Sequence, residues 1–153
     1  MSRFCKPAMN PPASDNELSD LETVLGVPIP EQLRQSLHIY NGMSTKTGFT
    51  WFDDQAQIVV PLSTKGIEAY SDIHFPRWKD EGKSWIPVLA DMAGFKMYAF
   101  DLSDEKIVSW DCRRGTTAPF RFQSYKEFLS FVLNLINNDL PFVWPDLEKR
   151  NEE

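Results

Sequence analysis

Hydrophobic positions along this chain switch between a helical and an extended period, and each switch marks a predicted element. Leu18, Leu21, Val24 and Leu25 recur at helical spacing behind Ser14 or Asp15, either of which supplies a capping oxygen, and Gly26 supplies a stop. Val27-Pro28-Ile29-Pro30 cannot prolong that helix because its two prolines carry no N–H, yet Pro30 suits the first turn of a second one. Leu33, Leu37 and Tyr40 share a face of this second helix, Glu31 complements the positive end of its dipole, and Asn41-Gly42 offers a left-handed terminus.

Residues 48–52 and 58–62 read as a hairpin turning at Asp53-Asp54-Gln55. Ser63 or Thr64 then caps a helix with Ile67, Tyr70 and Ile73 or His74 on one face, expected to end before Pro76, since a residue preceding proline resists helical geometry. Three apolar runs, 85–91, 96–102 and 106–112, are separated by the turn residues 91–94 and 103–105 and predict a β-meander. Tyr98, Phe100 and Leu102 fall on one side of their strand, Val108, Trp110 and Cys112 on one side of theirs, and that side is expected to face the core. Residues 113–122 read as a loop. Ser124-Tyr125-Lys126-Glu127 is a capping box, opening a helix whose stripe of Tyr125, Phe128, Leu129, Val132, Leu135 and Ile136 makes it the main cover of the sheet.

The expected architecture is therefore α+β: a mainly antiparallel twisted sheet of about five to six strands, with N-terminal helices and a C-terminal helix packed on it. Residues 1–13, with three prolines and no periodicity, read as a flexible arm; 14–145 read as one domain and 146–153 as a charged tail. A length of 153 residues suits one ordinary domain, and the five Trp and eleven Phe predict an aromatic-rich core.

Charge and cysteine content narrow the possible partners. A net charge of −6 opposes binding to phosphate backbones or anionic membranes, so neither nucleic acid nor membrane is expected as a direct partner. Cys5 and Cys112 form no CxxC pair, which suits reduced thiols in the cytoplasm, and no apolar run approaches the length of a spanning helix.

Candidate chemistry is sparse. Neither a glycine-rich phosphate cradle nor GxSxG nor HExxH occurs, so no cofactor, metal or catalytic residue is assigned. His38 and His74 are the only imidazoles; the first reads as a half-exposed surface residue and the second as packed beside Phe75-Pro76. Asp101, Asp104 and Asp111 suggest paired carboxylates or a cation site, but turns attract Asp for hydrogen bonding alone, and the same holds for Asp53 and Asp54. Arg113, Arg114 and Arg121, interleaved with Phe120 and Phe122, resemble a small single-strand-binding surface that the overall charge opposes.

In order and spacing, Leu25-Gly26, Ile29-Pro30, Leu33, Leu37, Asn41-Gly42, Trp85-Ile86-Pro87-Val88, Asp91, Gly94, Tyr98, Asp101, Ile107-Val108, Trp110-Asp111 and Ser124-Tyr125 with Glu127-Phe128-Leu129 resemble the SUKH superfamily. The resemblance is to its branch of fungal cell-wall assembly regulators and bacterial immunity proteins. It implies helices on a mainly antiparallel sheet and no catalytic residues. It also implies an immunity protein that occludes a cognate toxin, a nuclease or deaminase, with a regulatory scaffold as the alternative; an unrecognised hydrolase is a third reading, the location read from the cysteines is cytoplasmic, and the oligomeric state is open with a monomer favoured. The acids placed at turns, Asp53, Asp54, Asp91, Asp104 and Glu105, are the expected partner contacts.

Overall fold

A computed structural model describes residues 8–44, 59–91, 96–113, 116–138 and 140–142. The chain runs through β1 (Ala8–Met9), α1 (Asp15–Leu25), α2 (Glu31–Ile39), β2 (Met43–Ser44), β3 (Val59–Pro61) and α3 (Thr64–Asp80), then β4 (Trp85–Asp91), β5 (Lys96–Asp101), β6 (Lys106–Asp111), β7 (Thr116–Phe122) and α4 (Tyr125–Asn137). This is the expected α+β class. Strands β4 to β7 form an antiparallel meander, with the three-residue β3 added along β4, while β1 and β2 pair separately. Among the described residues no helix is long and apolar enough to cross a membrane.

Local signals account for the first two helices. Ser14 Oγ accepts the Glu17 N–H and Glu17 returns a carboxylate oxygen to the Ser14 N–H, each at 3.1 Å, while Gly26 ends α1 at φ +74°. Across the proline elbow Glu22 accepts the Ile29 N–H at 2.9 Å and pairs with Arg34. The Ile29 hydrogen bond, helped by Arg34 and opposed by burial, holds the Glu22 carboxyl below its ordinary value of 4.5. A carboxyl whose folded pKa is depressed stabilises fully above its unfolded value and loses that contribution as pH falls through the folded one. Glu22→Gln should therefore show a flatter loss of stability than wild type as pH falls below about 4.5, measured as urea midpoints at successively lower pH.

Two expectations are corrected by long-range packing. Helix α3 does not stop before Pro76 but continues to Asp80. The missing proline N–H costs one backbone bond, but stopping there would leave Trp78 outside a ring cluster in which it is 1% exposed. Residues 116–122 are a strand rather than a loop, and Pro119 falls opposite the register shift between Val108 and Trp110, where a missing ladder donor is tolerated. Ahead of α1, β1 pairs with β2, the Ala13 N–H bonds to the Leu37 carbonyl at 2.8 Å, and Ala13 is buried.

The sheet is buried on both faces, which the one-sided reading of the meander missed. Met97 lies opposite Trp110 and Tyr98 opposite Ser109, so Trp110 and Val108 face one way, Tyr98 and Phe100 the other. On the first face α3 brings Trp78 against Trp85 and Trp110, with ring centroids 5.5 and 5.4 Å away, and His74 meets Trp110 at 5.0 Å. On the second, Phe128 of α4 packs on Tyr98 at 5.2 Å and on Phe122 at 5.4 Å. Helix α4 is thus one cover of two. Tyr125 ties it to α2 through a 3.3 Å hydrogen bond to Ser36, and burial pushes this phenol up to about 12 despite that bond.

Candidate functional site

The meander places the acids from the turns at opposite ends of the sheet. Asp91 ends β4 beside the start of β5, whereas Asp104 and Glu105 sit in the β5–β6 turn beyond its far end, a strand length of roughly 17 Å away. Asp53 and Asp54 lie outside the described residues. Asp91 is not a surface acid: it is 4% exposed, and its carbonyl accepts the Tyr70 hydroxyl at 3.2 Å. Burial, with the Asp91 charge adding to it, raises the Tyr70 pKa.

Asp101, Asp104 and Asp111 do not converge either. Asp101 accepts the Ser103 N–H at 2.9 Å and hydroxyl at 2.6 Å, Asp104 accepts the Lys106 N–H at 3.1 Å, and Asp111 accepts the Arg113 N–H at 2.9 Å. Each carboxylate closes its own turn. The Arg113 guanidinium also lies 3.5 Å from Asp111. Burial, reinforced by Asp111 and opposed by Arg113 and Arg77, pushes the Cys112 thiol up. His38 sits on the surface 3.3 Å from Asp15, and His74 is packed between Trp78 and Trp110, both as the sequence suggests.

Asp104 and Glu105 border an open cavity of about 380 Å³. Its remaining walls are Pro30, Glu31 and Gln32 at the start of α2, Phe100 of β5, and Gln123 and Ser124 leading into α4. The turn is shaped by Glu105, whose φ of +59° is left-handed, and by a 2.8 Å bond from its N–H to the Asp101 carbonyl. At the α4 start Ser124 accepts the Glu127 N–H at 3.1 Å, but Glu127 accepts from Gln123 rather than from Ser124, so the expected capping box closes one residue earlier. Glu31, Asp104 and Glu105 are exposed, and the described lining holds no basic residue. The arrangement is an acidic groove suited to a cationic group of a partner.

Turn chemistry singles out Asp104 and Glu105 in the sequence, whereas their neighbours in the cavity, Glu31 and Gln123, carry no such signal. Those residues come from three separate parts of the chain, and no local spacing joins them.

A small α+β domain, with a meander covered by helices on both faces and a groove where two helix starts meet a strand turn, is the class of protein this fold defines. The chain belongs to the SMI1 / KNR4 family (SUKH-1), whose family model matches residues 12–130. That span runs from just before α1 into α4 and includes every wall of the acidic groove. A comparison with curated proteins finds no match.

Proposed function

We propose that this protein is a cytoplasmic immunity protein that binds a cognate nuclease or deaminase toxin stoichiometrically, occluding the toxin rather than turning over a substrate. Membership of the SUKH-1 family supports a protein partner. The observation that carries the reading is the acidic groove, because a nucleic-acid-directed toxin needs a basic surface and carboxylates steer such a surface into contact. Glu105 strengthens it: a non-glycine residue in left-handed geometry costs about 1–2 kcal/mol, a strain retained here at an exposed rim.

Co-expression with the toxin domain encoded beside this gene should restore growth and yield a complex. Failure to bind any neighbouring toxin product rejects immunity. Within such a complex the triple variant Glu31→Lys, Asp104→Asn, Glu105→Lys should bind about ten- to a hundredfold more weakly, mainly through slower association, and lose salt dependence. Asn is chosen at Asp104 so that its oxygen still accepts the Lys106 N–H. Unchanged association kinetics in this variant would remove the groove from the interface.

A further inference from the structure

Asn41-Gly42 is the one Asn-Gly pair in the sequence, and it sits half-buried where α1, α2 and α3 meet. Asn41 Oδ1 accepts the Thr64 N–H at 2.8 Å at the start of α3, while its Nδ2 donates to Glu17 of α1 and to the Thr64 hydroxyl, each at 3.3 Å. The backbone is engaged as fully. The Asn41 N–H donates to the Pro11 carbonyl at 3.2 Å, and the Asn41 and Gly42 carbonyls accept the Asn10 side-chain amide and N–H at 2.8 and 3.1 Å. The Gly42 N–H donates to the Tyr40 carbonyl at 2.9 Å.

Neither residue of the pair can be exchanged without loss. Gly42 has φ +70°, and a Cβ there would lie 2.5 Å from the Ser63 nitrogen. Asn41 must donate and accept at once, which an ionised aspartate cannot do. The fold therefore requires a chemically labile dipeptide: with no Cβ in the way, a glycine nitrogen that has lost its proton attacks the Cγ of the preceding asparagine. The N–Cγ bond forms, the Cγ–Nδ2 bond breaks with release of ammonia, and water opens the resulting succinimide to aspartate or isoaspartate. Folding opposes the attack twice. The Gly42 nitrogen keeps its proton in a hydrogen bond, and turning the Asn41 Cγ onto that nitrogen breaks the bonds to Glu17 and Thr64.

We infer that Asn41 is a deamidation site silenced by folding and exposed when the junction opens, and that its products cannot rebuild the junction. Aspartate sets a carboxylate against the Glu17 carboxylate where a donor stood 3.3 Å away. Isoaspartate lengthens the backbone by one carbon beside Gly42, where there is no room for a single methyl group. Each opening that lasts long enough for cyclisation thus leaves a permanent mark on the N-terminal half, whatever the protein binds.

The test ages the full chain in mildly alkaline buffer, with and without concentrated urea, and follows the one-dalton mass gain at Asn41 by peptide mass spectrometry. An opening populated at about 0.1–10% makes the native reaction about 10- to 1000-fold slower than the reaction in urea, where Gly42→Ala should slow it in turn. Asn41→Asp, a pure sample of one product, should lower the urea midpoint, and adding Glu17→Gln should raise it again because the glutamine amide supplies the missing donor. In wild type Glu17→Gln should lower the midpoint, since it brings two amide donors face to face. The modified fraction of aged wild type, returned from urea, gives the same comparison for both products. Equal rates in buffer and urea, a modified fraction as stable as the unmodified one, or a Glu17→Gln effect of the same sign in both backgrounds overturns the assignment.

Discussion

Trp78→Ala should destabilise the domain by about 3–5 kcal/mol, read as a lowered urea midpoint with an unchanged slope. Trp78 is among the largest fully buried side chains, and it touches His74, Phe75, Trp85 and Trp110 with centroid separations of 5.5, 6.0, 5.5 and 5.4 Å. Truncation would open a void under four rings held by two different elements, α3 and the sheet, which cannot both collapse into it. Against a total stability of about 5–15 kcal/mol for a domain of this kind, that loss is a large share. The contrast with Trp78→Phe isolates the cause. The indole N–H has no partner among the described residues, so phenylalanine removes an unpaired donor while keeping a ring, and the cost should fall to about 1–2 kcal/mol. Equal losses for the two variants would mean that the cluster is held by something other than ring packing.

Gly42→Ala should cost about 2–5 kcal/mol, although it adds one methyl group. Gly42 has φ +70°, and a Cβ placed there would lie 2.5 Å from the Ser63 nitrogen and 2.6 Å from the Leu62 carbonyl carbon. Both neighbours are backbone, so no side chain can turn aside. Gly26→Ala is the matched control: its φ is +74°, but nothing lies within 4 Å of the added carbon, so it should pay only the left-handed strain of about 1–2 kcal/mol. The difference between the two midpoints measures the close approach alone, and identical midpoints would reduce Gly42 to an ordinary turn residue.

Gly42 also shows why the sequence was only partly legible. Asn41-Gly42 reads as the stop of α2, yet that helix ends at Tyr40 in extended geometry with φ −141°. The pair instead forms a junction. Asn41 Oδ1 accepts the Thr64 N–H at 2.8 Å at the start of α3, its Nδ2 reaches Glu17 at 3.3 Å, and the Gly42 carbonyl accepts the Asn10 N–H at 3.1 Å. The signal for a special backbone position was present in the dipeptide, but the reason for it lies twenty residues on in the chain, where Leu62 and Ser63 pass.

The candidate sites divide along the same line. Asp104 and Glu105 were legible because a turn acid announces itself through local hydrogen bonding, and both border the acidic groove. Asp91 carried the same local signal, yet strand β3, pairing Val59 against it, helps cover it.

What the sequence determined by itself is whatever depends on a few neighbouring residues: the caps at Ser14 and Ser124, the end of α1 at Gly26, the proline elbow, the three central strands and the apolar stripe of α4. Tertiary structure decided the passage of α3 through Pro76, the pairing of residues 116–122, the opposite facing of Tyr98 and Trp110, the junction at Asn41-Gly42 and the acidic groove. Local rules set energies of about 1 kcal/mol per cap or turn, whereas burial of a single large aromatic is worth several times that. Where the two conflict, as at Pro76 with Trp78 two residues beyond, long-range burial prevails.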